Sequence, residues 1–149
     1  PMASDLRVVI SVLAMIVDLE RMGDHAKGIG AIVQMMSDEP LVKPLVDIPE
    51  MAVRGRAMLN NALDAFVERD VEAAYRVAQA DDGVDELQDR VYNDLLKIMI
   101  DDPSTVASCT HLLWVAHNLE RIADRSTNIA ERVIFTVTGE LGEMDVSTY

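Results

Sequence analysis

Glu20-x-x-x-Asp24, Asp81-x-x-x-Asp85 and Glu120-x-x-x-Asp124 each place two carboxylates one helical turn apart. Side chains four residues apart share one face of an α-helix. Two acids in that relation repel by a few tenths of a kcal/mol when exposed and by more when desolvated, so something positive should offset them. Arg21 and Arg121 directly follow the glutamates, but a neighbour on a helix points ~100° away. A bound cation is the other solution. Oxygen-only ligands suit magnesium, manganese, calcium or iron, and a nitrogen from His25 or His117 would move the preference toward zinc or iron.

A lone acid pair on a helix is ordinarily a solvated face; register and duplication strengthen the case here. Positions 6, 10, 13, 17, 20 and 24 advance by fours and threes, so Glu20 and Asp24 continue a stripe begun by Leu6, Ile10, Leu13 and Val17. Acids stand where packing residues are expected, and Glu120 and Asp124 extend Val106, Leu113 and His117 in the same manner. The two segments are also copies. A shift of 100 residues superposes Ser4, Leu13, Leu19, Glu20, Arg21, Asp24, Ile29 and Val33 on identical residues without a gap, so Leu-Glu-Arg-x-x-Asp occurs twice.

The elements that carry these acids are helices. Five prolines and seven glycines fall mostly at edges, and no period-two strand pattern is present. A first helix is expected from about Ser4, as its cap, to Met36, and a second from a capping box at Asp47-Ile48-Pro49-Glu50 to about Glu68. A third runs from an Asp70 cap through Val77, Val84, Leu87, Val91, Leu95 and Ile98 to about Ile100. A fourth starts at Asp102-Pro103-Ser104 and reaches about Val137, ended by Gly139. The short turn at 102–103 makes the last two helices antiparallel. Asp81 precedes that turn by as many residues as Asp124 follows it, so the two acid pairs stand at one level and face each other. The third helix adds Asp82, Glu86 and Asp89, with Arg76 its sole base between Asp70 and Asp89.

The 149 residues carry 13 basic and 26 acidic side chains, a formal charge of −13, which repels phosphate backbones and anionic lipid and favours cations. Nucleic acid and a membrane surface are therefore poor candidates as partners, and no direct membrane insertion is expected. The longest apolar run, Val8 to Val17, is about half the ~20 residues a spanning helix needs. No basic n-region of a signal peptide precedes it. The single cysteine, Cys109, cannot form an internal disulfide and reads as a small core residue, as expected in a reducing compartment.

The second copy is preceded by two helices and the first by none. The economical expectation is two three-helix repeats with the first two helices of repeat one missing, the chain being a piece of something longer. Residues 1–38 would be the last helix of that incomplete repeat, 39–46 a linker, 47–139 a complete second repeat and 140–149 a flexible tail.

The repeated Leu-Glu-Arg-x-x-Asp, Asn128-Ile129-Ala130 after its second copy, Ser4-Asp5-Leu6-Arg7 ahead of a long apolar helix, and Asp81-x-x-Val84-Asp85 together resemble the PhoU family of phosphate-signalling regulators. The resemblance implies an all-α, PhoU-like helical bundle of two three-helix repeats, here as four long helices. It implies that Asp81, Asp85, Glu120 and Asp124 form a complete metal site, and that Glu20 and Asp24 form half of another. It further implies a cytoplasmic homodimer acting as a negative regulator of phosphate uptake and phosphate signalling, an adaptor between a phosphate ABC transporter ATPase and a sensor histidine kinase, and not an enzyme. The alternative is a carboxylate-bridged metalloenzyme of the ferritin-like type. That class wants Glu-x-x-His on two helices, whereas Met22 and Trp114 stand three residues before His25 and His117.

Overall fold

The computed structural model describes residues 2–36, 38 and 40–141. It is all-α: α1 spans Met2–Met35, α2 Asp47–Glu68, α3 Val71–Asp101 and α4 Val106–Thr138, with a 3-10 turn at Pro103–Thr105 leading into α4. No strand occurs among the described residues. The expected residues 142–149 of the tail lie outside them.

Helices α2, α3 and α4 form an antiparallel three-helix bundle, each touching the other two. Its core is built from Met51, Met58, Ala62, Ala74, Val77, Val84, Leu87, Val91, Leu95, Cys109, Leu112, Ala116, Ala123, Ala130 and Val133, all buried. Small residues on α4 let the helices approach closely, and Gly55 of α2 packs against the Leu119 carbonyl and Ile122. Local signals set the ends. The Asp70 carboxylate accepts from the Ala73 N–H at 2.9 Å, and Asp102 accepts from the Ser104 N–H at 3.0 Å and its hydroxyl at 2.7 Å. Gly139 ends α4 at φ 80°, a left-handed position that favours glycine.

Two expected caps are corrected. Ser4 lies inside α1, which begins at Met2. Asp47 is already helical: Val46 is the cap, without a side-chain hydrogen bond, and Glu50 pairs forward with Arg54 at 2.8 Å.

Among the helices, α1 touches α4 alone. The two run antiparallel, joined by Thr136 donating to the Ser11 hydroxyl at 2.7 Å, by Asp18 with Arg125 and Asn128, and by His25 with Asn118. Asp18 meets Asn128, and the positions 100 residues away, Asn118 and Gly28, also meet. The sequence repeat is thus a local twofold axis through the α1–α4 pair, centred near Gly23 and Ala123.

The facing of α1 differs from expectation. Leu6, Ile10, Leu13 and Val17 are exposed, and the buried side is Ser11, Met15, Asp18, Met22 and Ile32. The reason is symmetry. Cys109, Leu112, Ala116 and Ala123 on α4 are covered by α2 and α3, and their images on α1, Val9, Val12, Ile16 and Gly23, form an outer face with no such cover. Glu20 and Asp24 lie exposed on that outer side.

Candidate functional site: a carboxylate cluster between α3 and α4

The cap at Asp102 fixes where α3 ends and α4 begins, and so fixes their register. That register brings Asp81 and Asp85 of α3 against Glu120 and Asp124 of α4. The charges of Asp85, Asp124, Glu120 and Asp82 all act on the Asp81 carboxyl. Asp81 is 4% exposed, and its Oδ1 is buried with no hydrogen-bond partner. Burial first, and then those four negative neighbours, push its pKa up to about 7. Burial likewise raises Glu120 to about 7, against the attraction of Arg121 and with the help of Asp124 and Asp85. An unpaired buried carboxylate is costly, so near neutral pH this cluster holds protons that ordinary acids have lost.

Arg121 supplies a positive charge, its Nη1 lying 3.3 Å from Asp124 Oδ2. Arg121 points away from its sequence neighbour Glu120, but the three-residue step to Asp124 puts the two on one helix face and is the sequence signal for the pair. His117 Nδ1 stands 3.7 Å from Glu120 Oε2, beyond hydrogen-bond distance. Partial burial, then Arg121 and His25, lower its pKa and favour the neutral ring. His25 lies in the α1–α4 seam, where Nδ1 donates to Asn118 Oδ1 at 2.9 Å. An open groove of about 670 Å³ runs over the cluster, lined by Asp82, Asp85, Glu86, Asp89, His117 and Arg121 among others.

The structure therefore brings together four of the six expected site residues. Glu20 and Asp24 remain apart on α1, and neither is among the charges that shift Asp81 or Glu120. The donor chemistry of the four is that of a hard-cation site. Among the described residues, however, no three His, Cys, Asp or Glu donors are placed around a common point closely enough to hold an ion.

A family model described as the PhoU domain matches residues 1–33 and 48–133. The chain belongs to the PhoU family. Relatives named phosphate-specific transport system accessory protein PhoU homolog include one from Clostridium acetobutylicum, 40% identical over 93% of this chain and 63% of its own length. Another, from Caulobacter vibrioides, is 41% identical over 94% of this chain and 61% of its own. The chain thus spans about three fifths of the length of these curated PhoU relatives. The crystal structure of PhoU from Pseudomonas aeruginosa superposes with a TM-score of 0.88 at 35% identity, over 94% of this chain and 68% of that one. The phosphate transport system regulatory protein PhoU from Streptococcus pneumoniae gives 0.90 at 33%, over 97% and 68%. No helix among the described residues is long and apolar enough to cross a membrane.

Proposed function

We propose that the chain is a metal-binding regulatory module of phosphate transport, an adaptor that restrains a phosphate ABC transporter and a sensor histidine kinase from the cytoplasmic side, and not an enzyme. The names of its relatives support the transport role. The observation that carries the metal reading is Asp81, a buried carboxylate oxygen without a hydrogen-bond donor, acted on by four neighbouring acids, of which Asp85, Glu120 and Asp124 are the other expected ligands. Asp81, Asp85, Glu120 and Asp124 would hold iron, zinc, magnesium or manganese, and Glu20 with Asp24 would supply part of a second set. A cation there would neutralise the repulsion and tie α3 to α4, setting the shape of the surface that partners meet. In the adaptor reading the chain's own residues bind and position; none is asked to do acid–base or nucleophilic work.

The test is co-expression with the transporter ATPase and the kinase sensor region of a phosphate-responsive bacterium, with metal content measured on the purified chain. Co-elution with either partner supports the adaptor. Absence of co-elution, together with oxygen consumption after iron loading, would overturn it in favour of the ferritin-like reading.

A further inference from the structure

Beside the acid cluster lies a second groove that the metal reading does not use. Trp114 of α4 is 61% exposed and Tyr92 of α3 is 52% exposed, at facing positions across the α3–α4 seam. With Leu113 they line an open cavity of about 370 Å³ that Asp89 and His117 also line. Asp89 and His117 also line the acidic groove, so the two are continuous. Large aromatic rings left in water are costly, and Trp and Tyr are the residues most often found at the energetic centre of protein interfaces.

We infer that this continuous groove docks a basic amphipathic helical segment of a partner protein. The occupant is set by charge and spacing. From Tyr92 back to Asp85 is about 10 Å of helix and to Asp82 about 15 Å, so an apolar side chain seated on Trp114 and Tyr92 would have lysines or arginines two to three turns away over Glu86, Asp85 and Asp82. A net charge of −13 attracts such a segment and repels anionic lipid and nucleic acid. A second copy of this chain would bring the same sign of charge to the same groove. Trp114 adds cation–π capacity for a basic residue close to the anchor. The biological role of the groove rests on the adaptor reading; the docking itself does not.

Trp114 is the only tryptophan in the chain, so its emission reports directly on the groove. The purified chain is titrated with a synthetic helical peptide that has leucines on one face and lysines on the other, with and without a chelator. The expected result is a saturable blue shift of Trp114 emission in both conditions. Calorimetry should show affinity weakened roughly tenfold or more by Trp114→Ala with Tyr92→Ala, and comparably by Glu86→Lys with Asp89→Lys, two exposed positions whose exchange leaves the fold intact. Trp114→Phe keeps the anchor and binds nearly as well. Equal binding of a peptide of the same composition with its faces scrambled would overturn the inference, as would variants that bind like the parent, or self-association that buries Trp114 without peptide. A chain that co-elutes with the transporter ATPase yet ignores the peptide loses this groove and keeps the adaptor reading. Peptide binding without co-elution does the reverse.

Discussion

The Asp18 carboxylate on α1 lies 3.3 Å from the Arg125 guanidinium on α4, both side chains nearly buried, and Asn128 donates to the same oxygen at 3.2 Å. This pair is the main polar tie between α1 and the three-helix bundle. Removing one partner of a buried ion pair leaves the other charge stranded, at a cost of about 3–5 kcal/mol. Asp18→Asn should therefore loosen α1, and hydrogen exchange should rise along α1 while α3 stays protected. Replacing both, with Asp18→Leu and Arg125→Met, should recover most of the loss, because an apolar pair of similar volume can be near neutral there. Equal protection of α1 in the parent and in Asp18→Asn would show that apolar contacts alone hold it.

What could be read from the sequence followed from how many independent constraints bore on each residue. The level match of Asp81 with Asp124 needed only a turn at Asp102-Pro103 and regular helices on either side, and the structure supplies both. The facing of α1 rested on hydrophobicity alone, and α1 is apolar on several sides. Leu6, Ile10, Leu13 and Val17 make the better apolar stripe, yet the side that packs carries Ser11 and Asp18, whose partners Thr136 and Arg125 lie more than a hundred residues away. Periodicity contains no such information. The Asp47 box failed for a similar reason: Asp47 binds Arg90 of α3 at 3.2 Å instead of capping its own helix.

The metal reading predicts a change of content with little change of fold. Asp81→Asn with Asp124→Asn should lower bound metal sharply while helicity by circular dichroism stays at the parent level, because the amides keep the volume and remove the charge. Unchanged metal stoichiometry by elemental analysis would contradict the assignment of the ligands. Glu20→Gln with Asp24→Asn should have a smaller effect, since those acids are exposed and stand apart from the cluster.

The acid cluster also predicts an unusual pH dependence for the metal-free chain. Asp81 and Glu120 titrate near 7 in the folded state and at 3.8 and 4.5 otherwise. A raised carboxyl pKa means that the folded state holds the proton more tightly, so its contribution to stability is complete below about pH 4 and is lost as pH rises through about 7. Urea midpoints in the presence of chelator should therefore fall between pH 5 and pH 8, opposite to the usual behaviour of paired carboxylates, and Asp81→Asn with Glu120→Gln should flatten the slope. Metal affinity should move the other way and strengthen across the same interval, as protons and cations compete for the same oxygens. A midpoint that rises with pH in the parent and in the double variant alike would remove the cluster as the cause.

The outer face of α1 gives the last prediction. Leu13 is 61% exposed, and Leu6, Val9, Ile10, Ile16 and Val17 extend the same apolar surface along the helix. Soluble chains rarely leave so continuous a patch in water, and the local twofold axis accounts for part of it: Val9 and Ile16 are the images of Cys109 and Ala116, which are buried in the three-helix bundle. By itself the 149-residue chain should bury this face by association, giving a concentration-dependent mass in light scattering. Ile10→Lys with Leu13→Lys should shift the equilibrium toward monomer while preserving the α1–α4 seam, because neither residue belongs to the buried side of α1. A parent that remains monomeric at high concentration, with α1 fully helical, would mean that this surface is tolerated in water and that its apolar character needs another explanation.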